Sequence, residues 1–160
     1  MSDELTFYMG KFEARFPTDR NYAKNHMWAK DVGEQSRTSG DAQLWRFGFT
    51  AYAVRLLQDV YFLDWTIDAG TALNERQPIG NIESSKAESE LYSPLAGTLV
   101  EFNQELLTDP SGINVDKYGR GWLFSMQSAG ETLLSPEEYL AHLEAAWKVA
   151  ERTIKGQMNE

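Results

Sequence analysis

The chain has 160 residues, five Trp, seven Tyr and eight Phe, enough for one domain with a sizeable core and no staples. It has no cysteine, which excludes disulfides, thiolate catalysis, iron–sulfur ligation and cysteine-based zinc sites. Its formal net charge is −9, from 15 basic and 24 acidic residues with no basic cluster, which argues against a nucleic-acid surface and favours basic partners.

Residues 1–21 open with acids and resemble neither a secretory signal nor an Arg-rich transit peptide. No apolar run in the chain approaches the ~20 residues of a membrane span. The expected location is therefore cytoplasmic, with no membrane partner. Phe7, Tyr8, Met9, Phe12 and Phe16 are too apolar for a solvated tail, so this segment is expected to pack on the domain. Pro17-Thr18-Asp19 marks a break.

Tyr22 to Lys30 reads as the entry into a first strand, and Gly33 to Asp41 as a loop. Leu44 to Phe49 alternates, with Trp45, Phe47 and Phe49 on one face of a second strand. Thr50 suits the cap of a short helix to Leu57, with Ala53, Leu56 and Leu57 towards the core. Asp59 to Trp65 is nearly continuously apolar, the pattern of a strand buried on both faces. Turns follow at Asp68-Ala69-Gly70 and Asn74 to Pro78.

Pro78 to Ile82 and Leu91-Tyr92 flank a short polar turn, Glu83-Ser84-Ser85-Lys86-Ala87-Glu88-Ser89-Glu90. The simplest structure is a hairpin with Lys86 at its tip, where serine hydroxyls bond nearby backbone. A lysine in such a turn is most often a solvated surface residue. After Ser93-Pro94 and Gly97, Thr98 to Phe102 alternates, with Thr98, Val100 and Phe102 on one face.

Asn103 to Leu107 suits one helical turn, broken at Asp109-Pro110-Ser111-Gly112. Tyr118-Gly119-Arg120-Gly121 lacks the spacing of a phosphate loop and does not lie between a strand and a helix start. Trp122, Phe124 and Met126 mark a last strand. Ser135, Pro136 and Glu138 form a strong helix start, as cap, first-turn proline and capping-box partner. Tyr139, Leu143, Trp147, Ala150 and Ile154 lie on one face of the helix, which is expected to end near Lys155 with Gly156 as its stop.

The chemistry is sparse. Two distant histidines, His26 and His142, and no nucleophile elbow leave no hydrolase triad, and no His/carboxylate cluster has metal-ligand spacing. A carrier asks less of a protein: one exposed amine on a rigid turn that a ligase can acylate, the cofactor then doing the chemistry. Glu83, Glu88 and Glu90 give the Lys86 turn an acidic field that a ligase or partner can recognise.

The segment Glu83-Ser84-Ser85-Lys86-Ala87, then Leu91-Tyr92-Ser93-Pro94 and Gly97, resembles the lipoyl-attachment segment of the glycine cleavage system H-protein family. Its pattern there is close to E-S-V-K-A, S-D-x-Y-S-P and a glycine. His26-x-Trp28 is similar to the family's H-E-W, and Phe47-Gly48-Phe49-Thr50-x-Tyr52-Ala53 to V-G-I-T-x-Y-A. Asp59 to Trp65 resembles G-D-I-V-F-V-E-L, with Gln58 where the family has glycine. Asn114-x-Asp116-x-Tyr118-Gly119-x-Gly121-Trp122-Leu123 matches N-x-D-P-Y-G-x-G-W-L except that Lys117 replaces proline. The resemblance runs from about Tyr22 to Met126.

The resemblance implies a mainly β fold, the flattened lipoyl-domain β-sandwich (barrel-sandwich hybrid) with short helices and a longer C-terminal helix. It divides the chain into an N-terminal extension (1–21), an H-protein-like domain (22–130) and a linker with C-terminal helix (131–160). It implies lipoate on Lys86, no active site of the chain's own, and an aminomethyl group carried from glycine decarboxylase to an aminomethyltransferase. Dihydrolipoamide dehydrogenase and a lipoate ligase or octanoyltransferase complete the implied partners. Met27 stands where the family's H-E-W has glutamate, an acid implied to hold the amine-loaded arm, so His26 and Met27 become arm-docking candidates. That departure opens a second reading, an H-like lipoyl carrier for another pathway such as sulfur-compound oxidation. A third is an unmodified interaction module of the same fold.

Overall fold

The computed structural model describes residues 3–33 and 43–158, the last nine of these by backbone alone. The loop expected over Gly33 to Asp41 lies outside the described residues from 34 onward. The N-terminal segment forms a hairpin of β1 (Glu4–Met9) and β2 (Phe12–Pro17). Gly10, at φ 66°, supplies the left-handed turn residue between them. Period-two alternation buries Phe7, Met9, Ala14 and Phe16 and leaves Tyr8 62% exposed, so Tyr8 does not join the packing expected of it.

The first strand expected over Tyr22 to Lys30 is divided. It comprises β3 (Asn21–Tyr22) and β4 (Met27–Asp31), joined by a turn in which the Ala23 N–H donates to Met27 O and His26 takes φ 71°. Next come β5 (Gln43–Phe49), α1 (Ala51–Leu57), β6 (Val60–Trp65), β7 (Ala72–Leu73), β8 (Pro78–Ser84), β9 (Glu88–Tyr92) and β10 (Gly97–Phe102). The short helices α2 (Gln104–Thr108) and α3 (Gly112–Val115), strand β11 (Phe124–Ser128) and helix α4 (Pro136–Met158) complete the chain.

Six strands form an antiparallel sheet in the order β3-β4-β5-β11-β10-β7, and β6-β8-β9 form a second. Trp45, Phe47, Leu99, Phe124 and Met126 of the larger sheet share one core with Val60, Leu63, Ile79, Ile82 and Leu91 of the smaller. The result is the expected mainly β, flattened sandwich, not closed into a barrel. Gly48 is required by this packing, because a Cβ there would lie 2.5 Å from the Trp28 ring.

Three burial patterns differ from those expected. In β6, Tyr61 is 61% and Phe62 45% exposed; the strand covers the core on one face only, and a bulge between Val60 and Phe62 turns both rings outward. In β10 the inward residue is Leu99, while Val100 is exposed; here too a bulge, between Leu99 and Glu101, shifts the alternation. In α1 Ala53 and Leu57 pack against the main core as expected, but Leu56 is 49% exposed and the fully buried residues are Ala51 and Tyr52. The cause is that α1 is wedged between two cores and divides its apolar residues among them.

The second core joins the β1–β2 hairpin to Tyr22, Trp28, Tyr52, Tyr139 and Leu143. Tyr22 stacks on Tyr139 with centroids 4.7 Å apart, and Phe16 meets Tyr139 edge-on at 5.4 Å. Each such aromatic pair contributes about 0.5–1.5 kcal/mol beyond its area. Helix α4 begins with the expected reciprocal cap: the Ser135 N–H donates to Glu138 Oε1 at 2.8 Å and the Glu138 N–H to Ser135 Oγ at 3.1 Å. Its backbone continues through Gly156 to Met158 instead of stopping, since an interior glycine weakens a helix by only about 1 kcal/mol. The side chains of Ala150 and Ile154 lie outside the described residues.

Candidate functional site

Lys86 lies at the exposed tip of the β8–β9 hairpin. The turn is held from inside by Ser84, whose buried Oγ accepts from the N–H groups of Lys86 (3.3 Å) and Ala87 (3.2 Å). The same hydroxyl lies 3.2 Å from the Ala87 carbonyl, to which it donates. From outside, the Ser85 N–H donates to Asp59 O at 2.9 Å and the Asp59 N–H to Ser85 Oγ at 3.2 Å.

Asp59 is itself fixed from α3. Asn114 Oδ1 accepts from the Val60 N–H at 2.9 Å, and its Nδ2 donates to Gln58 O at 2.6 Å. Asn114 therefore braces the Gln58–Val60 segment across more than fifty residues of sequence separation, and Asp59 in turn holds the lysine turn. No local pattern in the sequence signals this brace. The tip is rigid in backbone while its amine projects into solvent, the arrangement that modification by another enzyme requires.

The carboxylates divide. Glu83 and Glu88 are paired directly across β8 and β9, beside the tip. Like charges at opposed positions destabilise a sheet by roughly 0.2–1 kcal/mol. Glu90 lies farther along β9, where it lines both the outer groove with Glu83 and Glu88 and a separate cleft.

That cleft, of about 260 Å³, runs between β9 and α1. Its walls are Met27, Phe49, Leu56, Leu57, Ile82 and Leu91, with Asn25, His26, Ser89, Glu90 and Tyr92 along its edge. Met27 is only 2% exposed and belongs to the main core, so it offers the cleft an apolar surface and no charge. His26 sits at the edge with Nδ1 3.0 Å from Tyr139 Oη and its ring 4.6 Å from Tyr52. Burial, with His142 repelling a second positive charge, lowers its pKa from 6.5 to about 4, so the ring is neutral near pH 7.

His26, Met27 and Glu90 are thus brought together in the cleft, while Glu83 and Glu88 stay with Lys86 at the tip. The sequence reading missed the contribution of Asn25, Tyr92 and α1. Leu56, expected in the core, stands exposed on the cleft wall, a placement with no local signal in the sequence.

Residues 20–153 match the family model described as glycine cleavage H-protein. The chain is 40% identical over 132 residues to the glycine cleavage system H protein of Rubrobacter xylanophilus, across 82% of this chain and 97% of that protein. It is 38% identical over 125 residues to that of Thermobifida fusca, across 77% and 91%. Among solved structures, a glycine cleavage system H protein from Mycobacterium marinum superposes with a TM-score of 0.66 at 34% identity, across 81% of this chain and 99% of that one. The β1–β2 hairpin lies before the stretch that the family model matches.

Proposed function

This chain belongs to the glycine cleavage H-protein family, and from that premise we propose that it is a lipoyl carrier acylated on Lys86. The observation that carries the reading is the position of Lys86: an exposed amine on the braced tip of a hairpin whose strand β9 walls an apolar cleft. The residues present fit the group. Strand β9 leads from the Lys86 turn along the cleft, where Met27, Phe49 and Leu91 offer an acyl arm an apolar bed.

In the acylation step the deprotonated Lys86 Nζ attacks the carbonyl carbon of an activated lipoyl group. An amide C–N bond forms, the activating group leaves with its electron pair, and the ammonium proton passes to solvent or a ligase base. Once attached, lipoate supplies a disulfide that takes up electrons and carries a one-carbon amine between enzymes. The chain's own residues position this arm. Glu83 and Glu88 steer a basic ligase to the tip. Glu90 is the carboxylate that faces a cationic load in the cleft, and Met27 and Ile82 hold the arm's apolar length.

His26 is engaged with Tyr139, and His142 Nε2 with Lys24 O, so neither is poised for chemistry. The proposed partners are glycine decarboxylase, the aminomethyltransferase, dihydrolipoamide dehydrogenase and the lipoate-attaching enzyme, met in the cytoplasm. No helix among the described residues is long and apolar enough to cross a membrane. Within this reading residues 22–130 are the carrier domain, 1–21 an extension packed on it, and 131–160 a linker and helix. Met27 favours, as second reading, a related lipoyl carrier serving another pathway such as sulfur-compound oxidation; Glu90 in the same cleft favours the first.

Lys86→Arg is the direct test. Arginine stays protonated and cannot be acylated, so the variant should fold normally and accept no lipoate from a ligase. Lipoylation persisting at another lysine would refute the assignment; a wild-type chain that no ligase modifies would leave the unmodified module as the reading.

A further inference from the structure

A second cavity, also of about 260 Å³, opens beyond the cleft, at the end of β9 away from Lys86. Asn25 and Tyr92 line both, and Asn25 Nδ2 donates to the Tyr92 carbonyl at 3.2 Å where they meet. The far side is formed by Lys24, Arg76, Pro94 and Thr132. The cavity thus continues the cleft past Glu90, on the side of Tyr92 farther from Lys86.

Its charge is unusual for so acidic a chain. Lys24 and Arg76 form no ion pair among the described residues. The one carboxylate in the lining is Glu75, whose Oε1 accepts from Thr132 Oγ1 at 3.2 Å. Arg76 is held at φ 69°, with its N–H donating to Ser93 O at 2.9 Å. Glycine or asparagine fills such a turn position more readily, and another L-residue there costs on the order of 1 kcal/mol. The arginine thus brings a charge to the cavity at the expense of the fold. The 42%-exposed ring of Tyr92 and Pro94 supply an apolar floor. Small-molecule sites usually measure about 300–1,000 Å³, so this volume suits one or two side chains of a protein.

We propose that this cavity docks an acidic segment of a partner enzyme, seating a carboxylate between Lys24 and Arg76 and an apolar side chain on Tyr92 and Pro94. The proposal rests on the carrier reading, because its occupant is one of the enzymes that a lipoyl arm on Lys86 would serve. Charge complementarity also sets orientation. Glu83, Glu88 and Glu90 repel an acidic segment from the tip, while the two cations attract it to the far end.

The test uses the armless Lys86→Arg protein, so that affinity reports the surface alone. Its Kd for glycine decarboxylase, the aminomethyltransferase and dihydrolipoamide dehydrogenase is measured at low salt, with and without Lys24→Gln and Arg76→Gly. Glycine removes the charge and suits the backbone. One partner should bind about ten-fold more weakly to the neutralised protein, and the difference should vanish in about 1 M NaCl, where the screening length is about 3 Å. Lys24→Glu, on an exposed turn, should weaken the same partner even if the double variant folds poorly. Lipoylation of the chain that retains Lys86 should be unchanged by the Lys24 and Arg76 substitutions. Unaltered affinity for all three enzymes would overturn the docking proposal while leaving the carrier reading intact; absence of lipoylation from wild type would remove both.

Discussion

Gln58 ends α1 at φ 63° and ψ −138°, a conformation natural only to glycine. Its main chain closes the helix, the N–H donating to Val54 O, and hands the chain to β6 under the Asn114 clamp, bonds that any residue type would make. Gln58→Gly should therefore stabilise the protein by about 1 kcal/mol, the relieved strain exceeding the entropy of a freer unfolded chain. A denaturant midpoint that falls would show the strain is not there. Met27 is the other residue whose type decides something. Its thioether makes no counter-charge for an ammonium in the cleft, so Glu90 is left to do so alone. Met27→Glu should lengthen the lifetime of chemically loaded, amine-bearing carrier against hydrolysis and leave the uncharged form unaffected. An equal lifetime in wild type would mean that Glu90 suffices. Both positions were visible in the sequence as departures from a family pattern. What Gln58 costs was not, because a backbone angle has no signature in residue order.

The β8–β9 hairpin was legible because its turn chemistry is local: serines that bond their neighbours, flanked by short apolar runs. Strand β6 was not. Tyr61 and Phe62 look like core residues, and only the bulge, set by pairing with β8, turns them to solvent. The same holds for Leu99 in β10. Helix α4 is legible at its start, where the cap is a local motif, but not at its end, where a lone glycine is a weak signal. At the tip, Glu83 and Glu88 face each other across two strands, so neutralising them removes a repulsion. Glu83→Gln with Glu88→Gln should slow ligase-catalysed lipoylation at low salt and change stability by no more than about 0.5 kcal/mol. Ligase kinetics equal to wild type would eliminate charge recognition of the turn.

The whole molecule is one sandwich with a second aromatic core strapped to its side by the N-terminal hairpin and α4. Composition foretold a large aromatic core but not its division, since β1–β2 joins Tyr22, Trp28 and Tyr139 only in three dimensions. His26 lies at this junction, facing Tyr52 of α1 and Tyr139 and His142 of α4. Its pKa falls from 6.5 to about 4 on folding, chiefly through burial. Between those values the unfolded chain binds the extra proton, so stability is full above about pH 6.5 and is lost as pH falls towards 4, by up to about 3 kcal/mol. His26→Asn tolerates the positive φ and cannot titrate; its urea midpoint should fall less between about pH 7 and pH 4.5 than that of wild type. Equal losses would place the acid sensitivity elsewhere. The cleft, the tip and the acidic turn all converge on one amine, so the decisive measurement is the intact mass of the protein from its own organism, with peptide mapping around Lys86. The expected result is the mass of a single lipoyl amide, carried by the Lys86 peptide and no other. An unmodified Lys86 in cells that lipoylate their other carriers, or lipoate on a different lysine, would contradict it.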